Sequence, residues 1–238
     1  MKMTKFEIEP IGIVHSCFSE KFGIPRQPGL VHSSVAELEL LPPWNRQELV
    51  AGLSEFTHIW VHFVFHKTIE AGWRESIRPP GLGGKKRVGV FASRSPHRPN
   101  HMGMSVVRLR GIRASKGKVF LQLSGIDLLD GTPVVDIKPY VAYSDSIPEA
   151  SSSYAGSFFP VRVRLRGDVL SFCEKYQDES GRDLAELIRE VLAQDPRPVS
   201  QRGKRDVFGV LLWQVNVRFR VVLEEGEEIF EVFSCVNL

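Results

Sequence analysis

Residues 56–66 read Phe56-Thr57-His58-Ile59-Trp60-Val61-His62-Phe63-Val64-Phe65-His66, and their alternation decides the fold class. As a strand, the segment puts Ile59, Val61, Phe63 and Phe65 on one face and His58, Trp60, His62, Val64 and His66 on the other. Its aromatic and β-branched content favours a strand over a helix. Working outward, further strands are expected at 7–14, 37–41, 87–92, 105–112, 118–126 and 132–141, separated by Gly, Pro and Asn signals. The helix expected in this half is short, at 46–53. Many short strands with turn punctuation point to a mainly β fold, a barrel or a strongly curved sheet.

Beyond residue 143 the pattern changes. Residues 143–160 (YSDSIPEASSSYAGSFFP) are rich in Ser, Ala and Pro and read as a linker or long loop. Residues 160–166 alternate Val161, Val163 and Leu165 with Arg162, Arg164 and Arg166, a half-buried strand with an arginine face. Residues 182–193 carry helical periodicity through Leu184, Leu187, Ile188, Val191 and Leu192. Asp195-Pro196-Arg197-Pro198 stops that helix, because proline has no amide hydrogen and restricts its predecessor. Strands are expected at 207–212, 215–223 and 229–233, with Glu225-Gly226 as a hairpin turn. The organisation expected is a β-barrel domain at 1–145, a linker at 146–160 and a small α+β domain at 161–238.

The 238 residues are 42% hydrophobic and 25% charged, enough apolar content for a real core. The opening MKMTKFEIEP lacks the apolar core of a signal peptide, and no apolar run approaches the ~18 residues of a membrane span. Cys17, Cys173 and Cys235 are odd in number and widely spaced, which argues against a disulfide framework or structural zinc and fits a reducing cytoplasm. Net charge is only +3, but its distribution is one-sided. Between Glu75 and Asp127 there is no acidic residue and there are eleven basic ones. Such a block attracts phosphate-rich partners, and nucleic acid or nucleotide binding is expected.

Several constellations fail on geometry. His58, His62 and His66 share a strand face, but i and i+4 lie roughly 13 Å apart there, too far for one zinc ion, so no metal is expected. Gly81-Leu82-Gly83-Gly84-Lys85-Lys86 lacks the spacing and the Ser/Thr of a phosphate loop. No GxGxxG joins a strand to a helix, so a Rossmann site has no support. Cys17, close to His15, has no activating context and reads as an inert thiol. The strongest constellation is the loop Arg94-Ser95-Pro96-His97-Arg98-Pro99-Asn100-His101-Met102-Gly103, inside the basic block. Prolines hold such a loop open, and its two arginines offer forked donors to a carboxylate or phosphate.

Four stretches together resemble the TrmO (TsaA-like) family of tRNA methyltransferases. They are Lys21-Phe22-Gly23-Ile24-Pro25-Arg26-Gln27-Pro28-Gly29, Phe56-Thr57-His58-Ile59-Trp60, the Arg94 to Gly103 loop, and Asp127-Leu128-Leu129-Asp130-Gly131-Thr132-Pro133-Val134-Val135-Asp136-Ile137-Lys138-Pro139-Tyr140. Asp195-Pro196-Arg197-Pro198 is similar to the motif of two-domain bacterial members. The resemblance spans nearly the whole chain. His97 and His101 stand where an apolar residue or proline is common in the family, so the resemblance itself assigns them no role.

The resemblance implies a single-sheet barrel that binds S-adenosylmethionine, a smaller C-terminal domain, and a homodimer with the cofactor near the subunit interface. It implies methylation of N6 of N6-threonylcarbamoyladenosine at position 37 of a threonine-accepting tRNA. The cofactor contacts it implies are Pro25, Arg26, Gln27, His66, Lys67, Arg94, Leu109, Asp130, Gly131, Thr132 and Pro133. Arg26 or Arg94 would hold the cofactor carboxylate, and Asp130 would sit near a cationic group. Asp136, His97 or a group on the substrate would take the displaced proton. Arg98 would meet the threonyl carboxylate and Asn100 the carbamoyl group, while Arg197, Arg202, Lys204 and Arg205 would grip the anticodon stem. A non-catalytic RNA-binding module, or a methyltransferase acting on another substrate, are the competing readings.

Overall fold

The segment that opened the reading forms strand β3 (His58–Val64), with Ile59, Val61 and Phe63 buried and the intervening side chains half exposed. In the computed structural model, which describes residues 5–79, 82, 86–151, 160–204 and 206–238, this strand lies in a closed barrel. The other barrel strands are β1 (Gly12–Ser16), β2 (Val35–Leu40), β6 (Met102–Ser115), β7 (Lys118–Ser124) and β8 (Thr132–Pro139). Their order is β1-β2-β7-β6-β3-β8, and every pairing is antiparallel. Register shifts between Leu109 and Gly111 of β6, and between His62 and Phe63 of β3, supply the bends that closure demands. Val14, Leu38, Ile59, Val61, Val107, Leu121, Leu123 and Val134 fill the interior.

Three expectations need correction. The first strand covers Gly12–Ser16 rather than 7–14, because Pro10 denies an amide hydrogen at the start of that run. The 87–92 strand shrinks to β5 (Val88–Gly89), paired only with β4 (Ser76–Ile77), and the chain then turns into a 3-10 segment at Val90–Ala92 that leaves Phe91 77% exposed. The 46–53 helix is two short 3-10 segments, Gln47–Val50 and Leu53–Glu55, split by Gly52 in the left-handed region. A single helical turn, α1 (Ala142–Asp145), follows the barrel.

The C-terminal part is a four-stranded sheet with two helices. Strand β9 (Arg162–Leu165) runs parallel to β12 (Glu227–Asn237), which continues antiparallel to β11 (Val215–Glu224) and β10 (Val207–Leu212). The Glu225-Gly226 turn has both residues at positive φ, 54° and 87°, the geometry that a two-residue hairpin between right-twisted strands prefers. Helix α3 (Leu184–Ala193) is capped by Asp183, whose carboxylate accepts from the Glu186 amide at 2.9 Å. Helix α2 (Gly167–Ser180) was not anticipated. It buries Val169 and Cys173 and ends on Gly181 in the left-handed conformation.

The two sheets share one continuous apolar cluster. Phe18 bridges to Leu212, the Trp213 amide donates to the Cys17 carbonyl at 2.8 Å, and the Ser33 amide donates to Glu190 at 2.7 Å. The segment after β1 is therefore pinned against the C-terminal sheet and α3. The Gly-rich 81–86 run, apart from Leu82 and Lys86, lies outside the described residues, as do Arg205 and residues 152–159 of the linker. Among the described residues, no helix is long and apolar enough to cross a membrane.

Candidate active site

The barrel's register places the end of β3 beside the start of β6, with Phe63 opposite Gly103 and Val61 opposite Ser105. Around that junction five segments enclose a cavity of about 850 Å³. They are the loop at 21–28, the 62–68 end of β3 and its 3-10 turn, the 93–98 loop, the first residues of β6, and the turn at 127–132. Phe63, Phe65, Met102, Leu128 and Leu129 make an apolar wall. Phe63 and Phe65 meet edge to face with centroids 5.0 Å apart. Gly103 is required beneath them, since a Cβ there would sit 2.6 Å from Phe63 Cε2 and 2.9 Å from Phe65 Cε2.

The arginine loop is held by its own polar groups. Arg98 Nη1 donates to the Ser93 carbonyl at 3.0 Å, and Thr68 Oγ1 donates to the Pro96 carbonyl at 3.3 Å. His97 donates through Nδ1 to the Gly72 carbonyl at 3.3 Å, and His101 through Nδ1 to the Pro96 carbonyl at 3.2 Å. Asn100 and His101 both take left-handed backbone, φ 65° and 50°, turning the chain into β6. The two histidines that the resemblance left without a role thus brace the loop. Arg94 Nη1 donates to Gln27 Oε1, tying this loop to the 21–28 loop across the cavity.

Charge in the cavity is mostly positive. Lys21, Arg26, Lys67, Arg94 and Arg98 line it. Burial, reinforced by the nearby Arg202, lowers the pKa of Arg26, and Asp195 partly offsets this. Burial, with help from the Lys67 and Lys21 charges, lowers the pKa of His66. The lining residues include a single carboxylate, Asp127. Burial pushes its pKa up to about 6, while the Ser105 hydroxyl, its own amide and the Arg94 charge pull the other way. Ser105 Oγ donates to Asp127 Oδ1 at 2.6 Å. Arginines beside an apolar wall suit a small molecule that carries an anion and a flat apolar part, and the one half-buried carboxylate among them is left to accept a proton.

The structure brings together Pro25, Arg26, Gln27, His66, Lys67, Arg94, Arg98 and Thr132 of the expected site. His97, a candidate proton acceptor, lines it too, and the remaining expected residues that the structure describes do not. Leu109 is buried in the barrel core, Pro133 pairs with Ile13 in the sheet, and Gly131 donates its amide to Val14. Asp130 caps the end of β1 by accepting from the Ser16 amide at 2.9 Å. Asn100 serves the turn. Asp136, one of the proton acceptors considered, is held by Lys138 at 2.8 Å on a part-exposed stretch of β8, outside the cavity lining. Arg197 is corrected from an RNA-gripping to a buried structural residue. It is 1% exposed, ion-paired with Asp195 at 2.7 Å and Glu228 at 2.8 Å, and stacked on Phe230 at 4.7 Å. Arg202 pairs with Asp195 at 3.2 Å, and Lys204 is exposed. Asp127 received no role from sequence, although it is the residue that ends the acid-free interval.

Two family models match the chain. The tRNA-methyltransferase O N-terminal domain matches residues 13–146, and the TrmO C-terminal domain matches residues 159–237. The chain is 46% identical over 236 residues to the tRNA (adenine(37)-N6)-methyltransferase of Escherichia coli K12, covering 96% of this chain and 98% of that protein. It is 45% identical to a putative S-adenosylmethionine-dependent methyltransferase, RcsF, of Pseudomonas aeruginosa, covering 89% and 91%. The crystal structure of TrmO from Pseudomonas aeruginosa superposes with a TM-score of 0.83 at 38% identity, covering 99% of each chain.

Proposed function

The chain belongs to the tRNA-methyltransferase O family, and from that premise we propose that it methylates N6 of the threonylcarbamoylated adenosine at position 37 of a threonine-accepting tRNA. It is an S-adenosylmethionine-dependent tRNA (adenine-N6)-methyltransferase with a β-barrel catalytic part. The observation that carries the reading is the cavity at the β3–β6 junction, with three guanidiniums, an apolar wall and one half-buried carboxylate.

The residues present fit the cofactor. The volume of about 850 Å³ falls within the roughly 300–1,000 Å³ of small-molecule sites. Arg26 and Arg94 are placed for an amino-acid carboxylate, and Phe63, Phe65 and Leu128 for a purine face. When bound, S-adenosylmethionine supplies an electrophilic methyl group on a sulfonium. The chain's own contribution is positioning and electrostatics, because an in-line displacement depends chiefly on how the partners are aligned. Gln27 Oε1 accepts from Arg94 and so orients the guanidinium. Arg98 and Lys67 offer charge to the threonyl carboxylate of the substrate. Exposed lysines and arginines of the 86–118 interval, with Arg202 and Lys204, meet the tRNA backbone, which makes affinity fall with salt.

A homodimer with the cavity near its interface is part of this proposal. Ile69 (51% exposed), Phe91 (77%) and Met104 (52%) support it, being large apolar side chains left open beside the cavity's lining segments. The place of action is the cytoplasm, where the tRNA is. The test is transfer of a labelled methyl group by the purified protein to threonylcarbamoylated and to unmodified tRNA transcripts. Transfer confined to the threonylcarbamoylated RNA is the expected result, and cofactor-independent RNA binding without transfer would leave only a binding module.

A further inference from the structure

A methyl group added to N6 of an adenosine that already carries a carbamoyl arm displaces the nitrogen's remaining proton. Of the groups considered from sequence, Asp136 lies outside the cavity in an ion pair with Lys138, and His97 spends Nδ1 on the Gly72 carbonyl. Asp127 stands differently. Its carboxylate is the one acidic side chain lining the cavity, and it is largely shielded from solvent among Leu128, Leu129 and the first residues of β6. Ser105, itself 1% exposed, is fixed in the β3–β6 ladder opposite Val61 and points its hydroxyl at Oδ1, 2.6 Å away. A buried hydroxyl dedicated to one carboxylate oxygen, with the residue's own amide as a second donor, sets the carboxylate's orientation and still leaves lone pairs to accept from a substrate N–H.

From this arrangement we infer that Asp127 is the proton acceptor of the methyl transfer, oriented by Ser105. The inference rests on the reading that N6 of adenosine is the acceptor. As the bond from N6 to the methyl carbon forms and the methyl–sulfur bond breaks with its electron pair left on sulfur, the N6 proton passes to Asp127. The carboxyl group returns that proton to water when product leaves. The chain's charge is arranged for this. Burial keeps Asp127 more basic than an exposed carboxylate, while the Ser105 hydroxyl, its own amide and, last, the Arg94 charge limit that rise. The other charged and titratable groups facing the cavity are the cations Lys21, Arg26, Lys67 and Arg98 and the imidazoles His62, His66 and His97. The assignment is therefore read from differences between variants, not from one pH profile.

The test pairs binding with single-turnover rates for the wild type, Asp127→Asn and Ser105→Ala, each with S-adenosylmethionine and threonylcarbamoylated tRNA. Asp127→Asn is expected to bind both ligands within a few-fold of wild type by calorimetry. Its transfer rate is expected to fall by about 10²–10⁴, the usual span for a lost general base. It also loses the acidic limb of the wild-type rate profile. Ser105→Ala is expected to retain turnover at high pH and to shift that limb upward, since it removes a donor to the charged form. A rate for Asp127→Asn near wild type would overturn the assignment. So would a rate loss that merely tracks lost cofactor affinity, which would make Asp127 a binding group. Should Asp127→Asn not fold, an unshifted limb in Ser105→Ala overturns it instead. A wild-type protein that transfers nothing to tRNA would refute the reading underneath, a result distinct from all of these.

Discussion

Arg26 Nη2 donates to the backbone carbonyl of Asp195 at 3.4 Å, so a guanidinium that lines the barrel's cavity is steadied by the loop that ends α3. The same Asp195 holds Arg197 and Arg202 through its carboxylate. The C-terminal part is thus continuous with the wall of the site, and its Asp195-Pro196-Arg197-Pro198 turn is a support for Arg26.

Arg26→Ala and Arg94→Ala are each expected to weaken S-adenosylmethionine binding by roughly 10- to 100-fold, the loss of a hydrogen bond to a charged group at about 1.5–3 kcal/mol. Calorimetry measures it. Affinity unchanged in both variants would remove these arginines from the cofactor site.

Arg197→Ala acts on stability before it acts on RNA. The substitution removes the ion pairs to Asp195 and Glu228, leaving Asp195 only Arg202, and removes the stack on Phe230. Breaking a buried pair costs about 3 kcal/mol. A thermal melt is expected to show a clear drop in Tm. An unchanged melt with weaker tRNA binding would restore Arg197 as an RNA contact.

Gly103→Ala pushes a methyl group against Phe63 and Phe65 at the floor of the cavity. Overpacking of this kind costs about 1–3 kcal/mol. Both Tm, by thermal melt, and cofactor affinity, by calorimetry, are expected to fall; unchanged values of both would contradict the close packing at this position.

Asp127 also ties stability to pH. Its folded pKa, about 6, lies above the ordinary carboxylate value, so between roughly pH 4 and 6 the folded protein binds more protons than the unfolded chain. This group's contribution is then fully present below about pH 4 and lost as pH rises through 6, amounting to about 2–3 kcal/mol. Asp127→Asn cannot ionise. The stability difference between variant and wild type is expected to move in the variant's favour from pH 4 to pH 6.5 and to level off above. A difference independent of pH would contradict the partly buried, desolvated position of this carboxylate.

The barrel was legible because its strands obey a period of two: Ile59, Val61 and Phe63 alternate as their burial does. Where the pattern failed, a local cause overrode it. Residues 87–92 are apolar enough for a strand, but the β4–β5 pairing ends at Gly89 and the chain turns into the 3-10 segment at Val90–Ala92. Helix α2 hid behind Gly167 and a polar-rich second half. Arg197 reads as an exposed cation between two prolines, and only the Glu225-Gly226 hairpin, carrying Glu228 back across 31 residues of sequence, buries it. Asp127 escaped notice for the same reason. Its partner Ser105 is 22 residues away, and the two meet only through the antiparallel return of β7.

The measurement that bears most directly on the central claim is mass spectrometry of tRNA nucleosides from cells lacking this protein. N6-methylated threonylcarbamoyladenosine is predicted to vanish, to be replaced by its unmethylated parent, and to return when the wild-type gene is restored. Undiminished methylated nucleoside in the deleted strain would contradict the account.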